Sequence, residues 1–344
     1  MVWRMPALLV VVVALVSQAC RPEQRSPDVA TAPPATSASP ASATTSAADS
    51  ASNLVVPVPR PTVAMEFKAA LDLGQTAGAE PQLRHGRIAN STDWPASLYA
   101  TFQTPSGTAA CTAALVGPQA MLTAGHCVPA VGGVIFSYHG QAKPYVASCT
   151  QHPHYLSHQD ASADYALCKL DRPFVQPTGF MYETISTTGF DSFVGTTIVL
   201  TGYGCIGDAV ANLQFDDKYR IGTNTIEETS ATLSGKRGPA FYTPKENNNL
   251  FTKDDPNLAN LCPGDSGGPA FRRTGGTADQ FTSRVIVGVN SRVFYTSPAM
   301  TAFGSSLVSA TAGPDFRVWA EEWAKTVAKV PVCGVDGAIP NCRS

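Results

Sequence analysis

Charged side chains are scarce in this chain of 344 residues, of which they make up 15%. The 24 Lys and Arg are balanced by 26 Asp and Glu, and no basic run concentrates the positive charge. This scarcity excludes the electrostatic footprint that a nucleic-acid partner requires. Long apolar runs are lacking too, since ALLVVVVALV at residues 7–16 has ten residues, and a membrane-spanning helix needs about 20.

The start of the chain is typical of a secretory signal peptide over residues 1–19. Arg4 precedes the apolar run, and the small residues Ser17 and Ala19 follow it. Cys20 leaves two readings open: ordinary cleavage before it, or lipidation of its thiol at a site that resembles those of bacterial lipoproteins, although Ser17 replaces the usual leucine. The nine cysteines favour an oxidising compartment, and lipidation of Cys20 would leave an even number to pair. We therefore expect a secreted protein or one on the outer cell surface.

Leu, Ile, Met and aromatic residues are missing from residues 20–53, so this stretch is predicted to be a disordered tether. Residues 54–87 are predicted to be a pro-segment, in which AMEFKAALDLG indicates a short helix. Cysteine is absent from residues 21–87. No disulfide could therefore retain the pro-segment, and a cut at its end would release the following domain from a lipid on Cys20.

Short apolar runs dominate the chain from Ile88 onwards, with Gly, Pro, Asn and Asp between them, as in ASLYATFQT and RVIVGVNS. This texture predicts an antiparallel all-β domain over residues 88–328, with a tail at 329–344. One helix is predicted near the end, opened by Gly313 and Pro314. Its apolar stripe has helical spacing and consists of Phe316, Trp319, Ala320, Trp323 and Val327.

The stretch CPGDSGGPA at residues 262–270 places Ser266 among glycines. Its G-x-S-x-G pattern also fits the nucleophile elbow of α/β-hydrolases, in which the histidine follows the serine along the chain. Histidine is absent after Ser266, because the six histidines of the chain are His85, His126, His139, His152, His154 and His158. This absence excludes the elbow, argues against a lipid or acyl esterase of that type, and places any general base upstream.

The best upstream partners of Ser266 are His126 in LTAGHC and Asp164 in DYALCKL. With these motifs the chain resembles the chymotrypsin/trypsin family, which reads T-A-A-H-C, D-I-A-L-L and G-D-S-G-G-P in the same order. The third motif is intact, and the departures from the other two are Gly125, Tyr165 and Cys168. Over about residues 88–327, the resemblance implies two six-stranded antiparallel β-barrels with the site in the cleft between them.

The resemblance implies a serine endopeptidase that acts on proteins or peptides, as a monomer and without a cofactor. His126 would take the proton of Ser266, Asp164 would orient the ring, and the N–H groups of Gly264 and Ser266 would form the oxyanion hole. The alternative function is a catalytically silent homologue that acts as a binding module. Silent homologues usually replace a member of the triad, and this chain keeps all three.

Two further features follow from the cysteines and histidines. The resemblance guides a disulfide pairing of Cys111 with Cys127, Cys149 with Cys168, Cys205 with Cys262, and Cys333 with Cys342. The spacing of His152, His154 and His158 also fits a shared metal ion. We predict no metal, because the family commonly carries HP and an aromatic residue here and no carboxylate or thiolate pattern accompanies the cluster.

The substrate pocket is predicted by alignment on Ser266. Asn260 falls at its base, where trypsin-like enzymes carry an aspartate that binds Lys or Arg. Its walls would be Ser291, Val293, which would shorten the pocket, and Gly304. We expect a neutral, narrow pocket, and only a carboxylate folded into it, such as Asp255, would restore a preference for basic residues.

The stretch HGRIANSTDWP at residues 85–95 resembles the activation site of the family. Cleavage after Arg87 would free the amino group of Ile88 to pair with Asp265, which would turn the N–H of Gly264 towards the substrate. The family reads I-V-G-G, and here Ala89 replaces the valine and no glycine follows. The alternative is that Arg87 is a linker residue and the enzyme is active uncleaved. Because the pocket lacks negative charge, we expect a separate activating protease.

Overall fold

The computed structural model describes residues 66–69, 78–81, 83–104, 107–128, 133–137, 145–158, 163–189, 193–206, 213–229, 249–275, 283–295, 303–337 and 339–343. The predicted signal peptide, Cys20, the tether and most of the pro-segment lie outside the described residues. The strands are β1 (Glu66–Ala69), β2 (Gly78–Pro81), β3 (Arg87–Ile88), β4 (Ser97–Thr104), β5 (Gly107–Gly117), β6 (Ala120–Thr123), β7 (Gly133–Ser137), β8 (Tyr145–Gln151), β9 (Ala166–Leu170), β10 (Thr197–Gly202), β11 (Arg220–Thr229), β12 (Asn249–Thr252), β13 (Pro269–Arg273), β14 (Arg284–Tyr295) and β15 (Phe303–Ala310). The helices are α1 (Pro153–His158) and α2 (Pro314–Glu322).

The first barrel closes in the strand order β1-β4-β5-β6-β9-β8-β7. Small and branched residues of its strands are buried in the core, including Ala100, Ala113, Leu115, Leu122, Ala147 and Leu167. The neighbouring strands are antiparallel except for β1 and β7, which are parallel. The predicted all-β architecture with two barrels is confirmed, but this barrel holds a seventh strand from the predicted pro-segment.

The prediction of a helix in AMEFKAALDLG is wrong for the four described residues of that stretch. Glu66–Ala69 form a strand that pairs with both β4 and β7. A helix of this length is only marginally stable by itself. The open edges of β4 and β7, by contrast, offer backbone hydrogen bonds on both sides, and these determine the local structure.

The second barrel has the strand order β10-β13-β14-β15-β12-β11, closed by pairing of β10 with β11. Strands β3 and β2 extend its sheet beyond β11. The turn before β3 is anchored in this barrel, because Leu83 is fully buried in its core and the carbonyl of Arg84 accepts the N–H of Asn260 at 3.1 Å. The residues before and after the predicted cleavage site at Arg87 are therefore both in contact with the second barrel.

The predicted C-terminal helix is present as α2, with Gly313 as its N-cap and Pro314 in its first turn. Phe316, Trp319, Ala320 and Trp323 of the predicted stripe are buried. The fifth member, Val327, is 60% exposed, which contradicts the predicted stripe. A turn of π-helix over Trp323–Val327 has more residues per turn than an α-helix, and this rotates Val327 away from the core. No helix within the described ranges has the length and apolar character to cross a membrane.

Candidate active site

The two barrels each supply part of one site. From the first barrel, His126 lies in the 3₁₀ turn after β6, and Asp164 lies just before β9. From the second barrel, Ser266 lies in the turn before β13. Thr112 of β5 joins the halves, because its N–H donates to the carbonyl of Ser266 at 2.7 Å and its hydroxyl donates to the carbonyl of Gly264 at 3.1 Å.

Asp164 is fully buried and holds His126 by two hydrogen bonds. Its carboxylate lies 2.7 Å from Nδ1 of the ring and accepts the backbone N–H of His126 at 2.9 Å. The hydroxyl of Ser291 donates to the same carboxylate at 2.6 Å. Because the carboxylate accepts from Nδ1, the neutral ring keeps its lone pair on Nε2, where it can serve as a base.

The charge state of Asp164 follows from these contacts. Burial raises its pKa, but the charge of His126 and the hydrogen bonds from His126 and Ser291 outweigh burial and hold the pKa below its ordinary value. Asp164 is therefore ionised at neutral pH. An anion at this position stabilises the positive charge that His126 acquires when it takes a proton.

Ser266 and His126 line the same cavity, whose volume is about 350 Å³. The hydroxyl of Ser266 donates to the carbonyl of Ser291 at 3.5 Å, and among the described residues no hydrogen bond joins it to the His126 ring. Hydrogen bonds between a nucleophile and its base are often long before substrate binds. The structure thus brings the three predicted triad residues to one site, with the serine turned towards β14.

Two backbone N–H groups of the loop at Ser266, those of Gly264 and of Ser266 itself, are candidate oxyanion donors. The carbonyl of Pro263 accepts the N–H of Cys205 at 2.9 Å, and the carbonyl of Asp265 accepts the N–H of Gly268 at 3.0 Å. In a trans peptide the N–H points away from the carbonyl of the same unit. The N–H groups of Gly264 and Ser266 therefore point away from these internal partners, and such a pair of donors can bind a developing oxyanion.

Glycine is required at two positions of this loop by backbone shape. Gly264 and Gly267 have φ of +101° and +80°, values that favour glycine. A Cβ added to Gly267 would lie 2.2 Å from the carbonyl oxygen of Thr112. Any side chain at Gly267 would thus push apart the contact between the barrels that positions Ser266.

Asp265 is fully buried beneath the loop. Its carboxylate accepts the N–H of Gly204 at 2.7 Å and that of Cys262 at 2.8 Å. Burial raises the pKa of Asp265 to about 7, although these two N–H groups lower it. The structure of the uncleaved chain does not bring the other predicted activation residues to Asp265, since Arg87 and Ile88 pair with β11 instead.

The eight cysteines after Cys20 form four disulfides, with the connectivity that the family resemblance implies: Cys111–Cys127, Cys149–Cys168, Cys205–Cys262 and Cys333–Cys342. The first bridge ties the turn of His126 to β5. The third ties the start of the loop before Ser266 to Cys205, which follows β10. Both bridges are buried. The first stabilises the part of the site that carries His126, and the third stabilises the part that carries Ser266.

Removing the Cys205–Cys262 bridge is expected to lower kcat/KM by about 10²-fold without global unfolding, because small displacements of catalytic groups have effects of that size. The variant is the double change Cys205→Ala and Cys262→Ala, measured by peptide hydrolysis and by thermal unfolding. Its matched control, Cys333→Ala with Cys342→Ala, removes a bridge in the tail. Full activity in the first variant, or mass mapping that joins Cys262 to another cysteine, contradicts this role.

The cavity beside Ser266 contains two of the predicted pocket residues, Ser291 and Val293. Its full lining is His126, Leu261, Cys262, Pro263, Ser266, Ser291, Arg292 and Val293. Gly304 is buried in β15, outside this lining. Sequence reasoning missed Arg292, although its position between two predicted wall residues was a usable signal.

Asn260 lies fully buried, outside the cavity lining. Its amide oxygen accepts hydrogen bonds from Asn224 at 3.1 Å and from Thr252 at 3.0 Å. Asp255 does not enter the cavity, and its carboxylate accepts the N–H of Asn257 in an exposed turn. Of the residues described, none places a carboxylate in the cavity lining.

Of the three clustered histidines, His152 and His154 pack their rings against each other, and His152 also packs against Trp319. His152 is 3% exposed, and its ring centroid lies 5.1 Å from those of both His154 and Trp319. Burial, and then the charge of His154, lower the pKa of His152 to about 4. The side chain of His158 lies outside the described part of the structure. Within the described part of the chain, Cys111, His126 and Cys127 have metal-binding spacing, but the two sulfurs are joined in a disulfide.

The chain is similar to known proteins in sequence and in structure. The sequence model of the family described as Trypsin matches residues 84–302. The glutamyl endopeptidase of Bacillus licheniformis is 25% identical over 189 residues, which make up 51% of this chain and 57% of that protein. Neuropsin, a serine protease expressed in the limbic system of mouse brain, is 18% identical, with a TM-score of 0.47 over 69% of this chain and 97% of that one.

Proposed function

Because the chain belongs to the trypsin family, whose model covers residues 84–302, we propose that it is a serine endopeptidase that cleaves peptide bonds through an acyl-enzyme. One observation carries the proposal: the buried Asp164 holds the ring of His126 at 2.7 Å beside the cavity that Ser266 also lines. A catalytically silent binding module has no need of this arrangement, which places an ionised group under a histidine ring.

The proposed reaction begins when substrate displaces the Ser266 hydroxyl from the carbonyl of Ser291. Oγ attacks the scissile carbonyl while Nε2 of His126 takes its proton, and the carbonyl oxygen becomes an oxyanion held by the N–H groups of Gly264 and Ser266. His126 then gives its proton to the leaving amine, which breaks the peptide bond and leaves an acyl ester on Ser266. Water, activated by the same ring, hydrolyses that ester and restores the serine.

A fluorophosphonate probe tests this proposal against the silent homologue. The expected result is one label per chain, mapped by mass spectrometry to Ser266, together with cleavage of a mixed peptide library. The related glutamyl endopeptidase agrees with endopeptidase chemistry, but this chain spans 57% of that protein. Absence of both label and cleavage in the folded chain, before the cut after Arg87 and again after it with the cutting protease removed, would establish the silent homologue instead.

We also propose that cleavage after Arg87 raises activity. In the uncleaved chain Asp265 is buried, and its hydrogen bonds from described residues come from two backbone N–H groups. The charge of Arg220 acts on it, but no described cation forms an ion pair with it, and a buried unpaired carboxylate is unfavourable. The ammonium group of a new N-terminus at Ile88 would supply that cation. Arg87 itself is exposed, but it lies in β3, which is paired with β11 on one side and with β2 on the other. These short strands must therefore separate locally before the activating protease can bind the backbone at Arg87.

Treatment of the full chain with trypsin is expected to expose Ile88 as a new N-terminus and to raise kcat/KM, whereas incubation alone leaves Arg87 uncut. The matched variant Arg87→Gln should resist the cut and stay at basal activity. N-terminal sequencing and peptide hydrolysis measure both. Full activity of the uncleaved chain contradicts the activation, and self-cleavage after Arg87 contradicts the need for a second protease.

The proposed export by residues 1–19, with or without lipidation of Cys20, agrees with the four disulfides. The release of the domain from such a lipid needs more than a cut after Arg87. Strand β1 is paired with both β4 and β7 of the first barrel. These backbone hydrogen bonds would retain β1 after cleavage until it separates from its two neighbours.

A further inference from the structure

We propose that Arg292 determines specificity by binding an acidic side chain of the substrate on the N-terminal side of the scissile bond. This inference rests on the proposed endopeptidase function. A cationic cavity differs from the neutral pocket that the sequence predicts. That prediction depends on the neutral Asn260 at the pocket base, and the alignment does not show where the side chain of Arg292 lies. Arg292 is instead a member of the cavity lining, next to Ser266 and His126.

The first support is the charge of the cavity. Apart from Arg292 and His126, its lining is neutral, with Leu261, Pro263 and Val293 among the apolar members. No ion pair between Arg292 and a described carboxylate is present in the structure. An exposed guanidinium beside an apolar wall is suited to bind a carboxylate through two parallel hydrogen bonds.

The second support is that the neighbouring polar groups are already occupied. Asn260 donates to the carbonyls of Asp255 and Leu258 and accepts from Asn224, so it has little capacity left for a substrate side chain. Ser291 donates its hydroxyl to Asp164. Among the described residues that line the cavity, Arg292 therefore remains able to select a charged substrate.

The third support is position. The carbonyl of Ser291 lies 3.5 Å from Oγ of Ser266, so the residue that follows it on β14 borders the path of a substrate bound at that serine. An extended substrate whose carbonyl carbon is attacked by Ser266 would place its preceding residues along this part of β14. The same charge disfavours a cationic side chain, which agrees with the expectation that the enzyme does not cut after its own Arg87.

The test uses matched peptides in which Glu, its neutral isostere Gln or the cationic Lys occupies each of the four positions before the scissile bond in turn. At low ionic strength, kcat/KM is expected to be about tenfold higher for Glu at one of these positions, a size typical of one charge-assisted hydrogen bond. Arg292→Met should bring the ratio close to one, and Arg292→Glu should reverse it in favour of Lys. At 1 M salt the preference should shrink, because the Debye length falls to about 3 Å.

Lys325→Met is the control, since it removes an equal charge from an exposed side chain in the C-terminal helical turn and should keep the Glu preference. Fluorophosphonate titration of Ser266 counts the competent sites in each variant, so loss of fold is distinguished from loss of specificity. Cleavage without a Glu preference, or a preference that survives Arg292→Met, overturns the role of Arg292 alone. Absence of both label and cleavage in the chain already cut after Arg87 overturns the endopeptidase function itself.

Discussion

Replacing Ser266 with alanine is expected to lower kcat/KM for peptide hydrolysis by about 10⁶-fold, which is the size of effect typical for removal of a catalytic serine. The change deletes the one oxygen that would form the acyl ester. The surrounding loop should keep its shape, because Thr112 holds it through the carbonyls of Ser266 and Gly264, and both belong to the backbone. The measurements are peptide hydrolysis, fluorophosphonate labelling and the free energy of unfolding.

The control for Ser266→Ala is Ser186→Ala, which removes an exposed hydroxyl that donates to the carbonyl of Thr188. It should leave activity and labelling unchanged. The free energy of unfolding of Ser266→Ala should lie within about 0.5 kcal/mol of the parent. If Ser266→Ala kept more than a few per cent of activity, another nucleophile would have to be sought.

That Asp164, His126 and Ser266 come together at one site could be predicted because the motifs around them are local. The loop around Ser266 needs glycine at 264 and 267 for backbone shape. Both glycines lie within the five adjacent residues 264–268, so the requirement is visible in a short motif. The order of histidine, aspartate and serine then identified which upstream residues belong with it. Such short-range constraints are visible in one sequence, whereas the packing that completes the cavity is not.

Three features depended on contacts between distant parts of the chain. Strand β1 is a strand because β4 and β7 offer it two edges, and nothing within Glu66–Ala69 indicates those edges. Val327 is exposed because a π-helical turn shifts its direction. Arg292 lines the cavity together with both of its neighbours, Ser291 and Val293, at a place where the pairing of β14 with β15 shifts register, and the sequence does not show that irregularity. In each case tertiary structure overrides the local pattern.

Asp164→Asn is expected to lower kcat by about 10⁴-fold with a smaller change in KM, because it reverses the tautomer of His126. The carboxylate of Asp164 can accept hydrogen bonds from Nδ1, from the backbone N–H of His126 and from Ser291 at the same time. An asparagine has one acceptor oxygen and one donor group. Its oxygen would satisfy the backbone N–H or Ser291, so its amide N–H would face Nδ1.

A histidine that accepts at Nδ1 carries its proton on Nε2. It would then present a donor to Ser266 in place of a base, and it would lose the anion that stabilises the imidazolium form. Because substrate contacts within the cavity are untouched, binding should change little. The measurable consequence is a fall in kcat and in the rate of fluorophosphonate labelling, while the affinity of the enzyme for the peptide substrate stays unchanged.

Two variants separate this effect from simple loss of charge. Asp255→Asn removes a carboxylate from an exposed turn, keeps an oxygen that can accept the N–H of Asn257, and should retain full activity. Ser291→Ala removes one of the three donors to Asp164 and should lower kcat by about tenfold, since a hydrogen bond to a charged group contributes about 1.5–3 kcal/mol. A loss below tenfold in Asp164→Asn would mean that Asp164 does not set the tautomer, and the buried contact with His126 would then be structural.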